Sequence, residues 1–488
     1  MPLSADTVLP PGIKGPGYDP ARAGTGIVHF GPGAFHRAHQ AACTDAALTR
    51  SSGDWRILGV SLQSTAVADA LSEQDGRYTL VTRPGPGSTP HLQVIGSIAG
   101  ALAAVRCTDG VLAALQNPAT RIVSMTVTEK AYGLDRATGR LDPGHPAVRD
   151  DLVRPDTPTG LAGLITEGLR RRRAANTGPF TVLCCDNLPD NGSMVRNVIL
   201  DFARRTDASL ADWIAEHVTF PATMVDRITP APTADLRAEV ADLLGSADNA
   251  AVETEPFTQW VIEDRFCAGR PDWEAGGALF VSDVAPFENM KLRMLNGAHS
   301  LIAYTGVLCG FPFVRDAIGN PQLRAVVRRH MQAAAATLDP IGGFDFDGYA
   351  DDLMQRFANP QIAHKTAQIA MDGSQKMPQR IFAPALAAKT RGLDITPFAT
   401  ATAVWLRYTA GLTPDGQRYE VQDPRSDELR GLHAGGADAR GITARLAALP
   451  GLLPEGLSGD PGWNDAVAQK LAPMLQGDAA AILDAVSG

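Results

Sequence analysis

Gly26-Ile-Val-His-Phe30 runs straight into Gly31-Pro-Gly33, and a helix-like segment, Ala34 to Leu48, follows. An apolar run of strand length that ends in Gly-x-Gly and opens a helix is the pattern of the first strand–turn–helix unit of a dinucleotide-binding fold. Glycine there permits a tight turn and lets backbone approach a pyrophosphate closely. The helix N-terminus adds free N–H groups and a partial positive charge. Gly31 and Gly33, with Ala34 and Phe35 at the head of the helix, are therefore the candidate cofactor-binding residues. The third position of G-x-G-x-x-G is His36, so the motif is degenerate, and an ordinary βα turn is the competing reading.

The flanking chain supports the first reading. Trp55–Leu62, Tyr78–Thr82, Leu92–Ile98, Ile122–Val127 and Phe180–Cys185 read as strands, and Leu161–Ala174, Val195–Arg205 and Leu210–His217 as helices. Strands alternating with helices indicate a parallel sheet covered on both faces. From Pro286 the character changes to Ala/Leu-rich helices broken by Gly/Pro loops: Leu323–Thr337, Phe382–Ala388, Phe398–Ala410, Thr443–Leu449 and Trp463–Leu475. The expected organisation is an α/β Rossmann-type NAD-binding domain, residues 1–285, followed by a mainly α-helical substrate and catalytic domain, residues 286–488. The stretch Gly411 to Arg425 reads as a surface insertion.

Composition narrows the function. The 488 residues carry a net charge of −9, which argues against nucleic acid as the main partner, since phosphate binding needs a basic face. No apolar run approaches the length of a membrane span, and the N-terminus lacks the pattern of a signal peptide. The six cysteines (43, 107, 184, 185, 267 and 309) have no C-x-x-C and no regular spacing, which disfavours both a disulfide framework and a structural zinc. A cytoplasmic setting, no membrane and no metal are expected. Cofactor choice should be read after the second strand, where an acidic residue would bind the ribose 2′-OH. The chain offers Gln63, Ser64 and Thr65, with Asp69 further on, and no Arg that would welcome a 2′-phosphate. NAD is the expected cofactor, with some use of NADP.

Lys291-Leu-Arg-Met-Leu-Asn296-Gly-Ala-His299 carries the chemistry. On an α-helix, at about 100° per residue, His299 lies about 80° from Lys291 and Asn296 about 60° further on, so all three reach one broad face. A cation, an amide and an imidazole on one face form a device for moving a proton off an alcohol. A free lysine, with pKa about 10.4, is a poor base at neutral pH, and burial would lower it toward the useful range. Amide donors would stabilise the developing alkoxide by roughly 3–4 kcal/mol each.

Six ordered segments, Gly31–His39, Thr126–Tyr132, Cys185–Gly192, Met224–Thr229, Glu255–Asp264 and Lys291–His299, with a weaker match over Gln368–Arg380, resemble the polyol-specific long-chain dehydrogenases, the family of mannitol 2-dehydrogenase and fructuronate reductase (D-mannonate oxidoreductase). The resemblance implies a Rossmann-type domain, a helical domain, an active site between them and no metal. It implies Lys291 as general base, Asn187 and Asn296 as the pair that stabilises the oxyanion, and His299 as a hydrogen-bonding partner of substrate. Asp226 and Lys376 carry over as substrate-binding residues. The implied partner is a small-molecule sugar acid or polyol, and the chain is expected to be a monomer or weak dimer.

Other dehydrogenase classes fit less well. None of the seven tyrosines has Lys four residues later, as a short-chain dehydrogenase requires, and the Cys/His clusters of zinc alcohol dehydrogenases are absent. The 6-phosphogluconate dehydrogenase type has a shorter Lys-to-Asn spacing. A nucleotide-sensing protein that had lost catalysis should have lost Lys291 or both Asn. The segment His364–Arg380 resembles the sugar-acid branch more than the mannitol branch, where an Arg near Gln368 is expected. Lys376 or Arg380 could meet a substrate carboxylate. The expectation is D-mannonate/D-fructuronate, with D-mannitol/D-fructose or another polyol such as arabinitol as the alternative.

Overall fold

A computed structural model describes residues 2–85, 88–135, 138–360, 362 and 364–488. It divides into two compact units, Met1–Ala285 and Pro286–Gly488.

The strands of the first unit are β1 (Thr25–Phe30), β2 (Arg56–Ser61), β3 (Tyr78–Thr82), β4 (His91–Ile95), β5 (Ile98–Ala103), β6 (Ile122–Met125), β7 (Leu134–Asp135), β8 (Arg140–Leu141), β9 (Thr181–Cys184), β10 (Thr223–Asp226), β11 (Val252–Thr254), β12 (Gln259–Glu263) and β13 (Ala278–Val281). The main sheet has the order β5-β2-β1-β6-β9, with every neighbouring pair parallel. Alternate side chains of β1 serve different cores, as the two-residue period of a strand requires. Val28 and Phe30 join Val123, Val182 and the helices Leu161–Ala175 and Asn191–Thr206, whereas Ile27 joins Ile57, Ile122 and Leu183 beneath Ala38 and Ala41. Both faces are covered, which is why these strands read as nearly unbroken apolar runs. The chain builds outward from β1 to β2 and β5 on one side, then to β6 and β9 on the other. The strand order thus reverses between β1 and β6, where open α/β sheets place their binding crevice.

Three sequence expectations need correction. The helix expected over Ala34–Leu48 is two helices, α1 (Ala34–Ala38) and α2 (Gln40–Arg50). The break is at His39 (φ −120°, ψ −91°), and it accompanies a flat stack of the buried His36 ring on His29. The strand expected over Leu92–Ile98 is broken near its end: Leu92–Ile95 lie in β4, Gly96 and Ser97 form a corner, and Ile98 opens β5. Gly96 N–H, a group that would extend a ladder, donates instead to Asp45 Oδ1 of α2 (2.8 Å), and the Ser97 hydroxyl anchors the corner on Ala41 O (2.6 Å). β5 itself, Ile-Ala-Gly-Ala-Leu-Ala, has one β-branched residue and no strand signal, yet it forms an edge of the main sheet.

The second unit is helical. Gly297–Cys309 is its centre, buried on nearly all sides by helices that include Thr396–Thr409 and Pro321–Ala336. Among the described residues two π-helical turns interrupt the α-helices: Lys291–Asn296 just before this central helix, and Pro378–Phe382, which takes in the first residue of the helix expected over Phe382–Ala388. Gly411–Arg425 is tied down more firmly than a surface insertion. Tyr419 OH donates to Tyr408 O (2.6 Å), and Asp423 accepts from Ser374 N (2.7 Å) and Oγ (2.5 Å). Among the described residues no helix is long and apolar enough to cross a membrane.

Buried histidines tie stability to pH. Burial pushes His330 down to about 4 and His29 to about 3. Below pH about 6.5 the unfolded chain takes up these protons and the fold does not, so stability falls as pH drops, by about 1.4 kcal/mol per pH unit for each such group. In urea unfolding between pH 4.5 and 6, His330→Leu is expected to flatten the dependence by about that amount per pH unit. An unchanged slope would place the His330 proton elsewhere.

Candidate functional site

A cleft of about 510 Å³ opens at the C-terminal ends of β1, β2 and β6, lined among others by Gly31, Gly33, Gln63, Ser64, Val127 and Lys130. The two glycines have different jobs. Gly31 turns the chain with φ +88°, and a Cβ there would lie 2.1 Å from Thr126 O. Its N–H donates to Val60 O (2.9 Å) and its carbonyl accepts from Thr126 Oγ1 (2.8 Å), so the turn is stitched to both neighbouring strands. Gly33 has ordinary torsions (φ −70°, ψ −172°), and its Cβ would meet nothing nearer than 3.9 Å. Space is left at Gly33, and backbone fills it at Gly31. Ala34 and Phe35 do not line the cleft. They pack on the core around Ile27, with the Phe35 ring stacked on His39 at 4.9 Å, and only their backbone N–H groups in the first helical turn remain candidates for an anion.

His36 occupies the place of the third glycine. Its ring lies 3.5 Å from that of His29 at 17°, and His29 bonds Ser124 Oγ (2.8 Å) and Thr126 Oγ1 (2.9 Å). Burial holds both imidazoles well below their usual range, so the pair under the turn is neutral. After β2, Gln63 and Ser64 line the cleft as uncharged groups, and Asp69 is engaged with Arg106 at 2.8 Å. The cleft thus presents no carboxylate where a 2′-phosphate would sit, and its lining includes the Lys130 cation. His145 and Thr159 also line it, from segments with no motif that could have marked them.

Asn187 stands exposed just beyond β9. The turn that carries it is held by Asn191, whose Nδ2 donates to Asp186 O (3.0 Å) and Thr223 O (2.9 Å). Asp226 ends β10 and is 7% exposed. Its neighbour Arg227 donates to the carbonyls of Ala38 and Glu255.

In the second unit Lys291 and Asn296 are buried, and both lie in the first π turn. This alters the angles expected for an α-helix. An i→i+5 turn advances about 82° per residue, which places Asn296 about 50° from Lys291 and brings His299 almost onto the same line. The spread narrows from about 140° to about 60°. Gly297 makes this possible, since a Cβ would meet His330 Nε2 at 2.8 Å and Arg380 O at 3.1 Å, the latter in the second π turn. Arg380 Nη1 donates to Asn296 O (3.4 Å) and Ser300 Oγ (3.2 Å). His299 packs on Phe357 at 4.6 Å, and its buried Nε2 has no hydrogen-bond partner among the described residues. Burial, then the neighbouring His364, Arg380, Arg356 and Lys291, hold its pKa well below the usual range, so it is a neutral ring. Arg356, which sequence reasoning missed, belongs to a helix with no motif of its own, Phe346–Phe357.

Lys376 and Arg380 differ. Lys376 Nζ donates to Ile369 O (3.2 Å) and Met371 O (2.6 Å), closing the end of the short helix Thr366–Ile369. Among the described residues Arg380 donates only to uncharged acceptors; burial lowers its pKa, and the Tyr304 phenol opposes that effect. Among the described residues no three His, Cys, Asp or Glu side chains gather as a metal site would require.

Residues 25–275 match the mannitol dehydrogenase Rossmann domain, and residues 283–472 the mannitol dehydrogenase C-terminal domain. The chain is 43% identical over 472 residues to D-mannonate oxidoreductase of Escherichia coli, covering 96% of each chain. The mannitol 2-dehydrogenase of Pseudomonas fluorescens, solved with NAD and D-mannitol, superposes with a TM-score of 0.83 at 36% identity over 99% of both chains. A substrate-free D-sorbitol dehydrogenase superposes with 0.91 at 32% identity, over 99% of this chain and 100% of the other.

The two glycines should separate in experiment. Gly31→Ala should lower the melting temperature, because its Cβ meets backbone that cannot yield. Gly33→Ala should melt like the parent and weaken dinucleotide binding by about tenfold or more in a fluorescence titration. Unchanged affinity in Gly33→Ala would remove this turn from the binding site.

Proposed function

The chain belongs to the mannitol dehydrogenase family, and from that premise we propose that it is an NAD-dependent oxidoreductase interconverting a secondary alcohol and a ketone on a sugar acid, with D-mannonate and D-fructuronate the favoured pair. The observation that carries the substrate class is Arg380. Its guanidinium sits beside the Asn296 carbonyl, within the Lys291–His299 segment, and among the described residues its hydrogen-bond partners are uncharged oxygens. A buried cation without a counter-ion is costly, and a substrate carboxylate would relieve that cost. Lys376, already committed to two carbonyls, is the weaker candidate for that contact. The likeness to D-mannonate oxidoreductase supports the same reading. The alternative, a mannitol 2-dehydrogenase or another polyol dehydrogenase, is favoured by the superposition on the mannitol complex.

The residues present fit a dinucleotide. The cleft lies at the switch point of the sheet, with a glycine turn at its floor and open space above Gly33. Bound nicotinamide supplies the hydride acceptor or donor. With no carboxylate beside Gln63 and Ser64 to repel a 2′-phosphate, NAD is preferred and NADP is used detectably.

The chain's own residues handle the proton. Lys291 takes it from the substrate hydroxyl during oxidation and returns it during reduction. Asn296, and Asn187 as the second amide of the pair, donate to the oxygen as it gains charge. His299, a neutral ring with a free buried Nε2, hydrogen-bonds a substrate hydroxyl without adding charge. Asp226, buried at the end of its strand, is a further substrate contact. No step needs a metal ion.

Lys291→Ala should lower turnover by about two or more orders of magnitude while NADH still binds. A folded variant with near-normal turnover would remove the base assignment. In steady-state assays the enzyme should favour fructuronate over fructose by more than about tenfold, and Arg380→Gln should shrink that ratio. Efficient turnover of mannitol and fructose, with none of mannonate or fructuronate, would establish the polyol alternative.

A further inference from the structure

One carboxylate outside the proposed catalytic set joins two walls of the site. Pairing between β6 and β9 runs as far as Met125 and Cys184, and Cys185 N–H then donates to Met125 O (2.9 Å). Beyond that point the two chains part. One becomes the Thr126–Tyr132 loop, whose Val127, Thr128, Lys130 and Ala131 line the cofactor cleft. The other turns at Asn187. Asp186 spans the gap. Its Oδ2 accepts from Val127 N (3.0 Å) and from Tyr132 OH, and the phenol, 1% exposed, also lies 3.1 Å from Cys184 Sγ. The main-chain carbonyl of Asp186 is held in turn by Leu188 N (2.9 Å) and Asn191 Nδ2 (3.0 Å). A side chain thus continues a sheet contact that the backbone has given up, between the loop that walls the cleft and the residue before Asn187.

We propose that Asp186 is a positioning residue, which through Val127 and Tyr132 holds the cofactor-cleft wall in register with the turn that presents Asn187. What it supplies is an acceptor oxygen. Both donors converge on Oδ2, so a proton can occupy Oδ1 without breaking either bond. This fits a group whose burial raises its pKa to about 6 against the pull of those two hydrogen bonds. Removing the acceptor would strand a buried phenol and a backbone N–H, and the loop would move to satisfy them.

The proposal rests on the cofactor reading of the cleft and is independent of the choice of substrate. Its test is NADH affinity by fluorescence titration, with kcat measured alongside, in three variants of the full chain. Asp186→Ala should weaken NADH binding by about tenfold or more and lower kcat. Asp186→Asn, which keeps an acceptor oxygen, should stay within about threefold of the parent. Tyr132→Phe, which removes one donor, should fall between them. A general loss of stability would lower the melting temperature without this ordering. Parent-like NADH affinity in Asp186→Ala, or Asp186→Asn as impaired as Asp186→Ala, would overturn the proposal. If Asp186→Ala does not fold, Tyr132→Phe decides, and parent-like affinity and turnover there would overturn it too. A parent protein that binds neither NADH nor NADPH would reject the cofactor reading itself, an outcome separate from any difference among variants.

Discussion

At Gly31 the chain leaves β1 with φ +88° and passes so close to Thr126 O that even a methyl group would lie 2.1 Å from it. The close approach lets the Thr126 hydroxyl bond the Gly31 carbonyl and the Gly31 N–H bond Val60 O, so the turn is held from both sides. β2 and β6 are then fixed on either side of β1, and the cleft opens where they diverge. The buried His29–His36 pair is part of the same construction. In place of a third glycine, it lets two flat neutral rings set the distance between α1 and the sheet.

The second unit solves a different problem, that of holding polar side chains on one line within an apolar core. An α-helix repeats every 3.6 residues or so, and Lys291, Asn296 and His299 would spread along it. The wider π turn realigns them, and the matching turn at Pro378–Phe382 lies against it with Gly297 between. Arg380 donates to the Asn296 carbonyl, where the first π turn passes into the central helix. The same guanidinium that secures the backbone is the one proposed to meet the substrate carboxylate.

The sequence was legible where chemistry is local. The strand–turn–helix around Gly31, the buried strands and the Lys291–His299 segment all carry patterns that follow from covalent geometry and burial. It was opaque where tertiary contacts override propensity. β5, made mostly of Ala, Gly and Leu, is a strand only because β2 offers it an edge. The strand breaks at Gly96 because Asp45 captures its N–H, and the Ser97 hydroxyl fastens the corner to Ala41 O. A π turn has no sequence signature, so the angles around Lys291 could not be read correctly. The roles of Lys376 and Arg380 look alike on paper and separate only when their hydrogen-bond partners are known.

The π turn at Lys291–Asn296 also bears on how this segment can change over evolutionary time. A π turn is in effect an α-helix carrying one extra residue. By the angles above, deleting a residue there would restore a regular helix and leave His299 within about 10° of its present angle to Lys291. The turn therefore takes up one residue without rotating the helix on either side of it against the other.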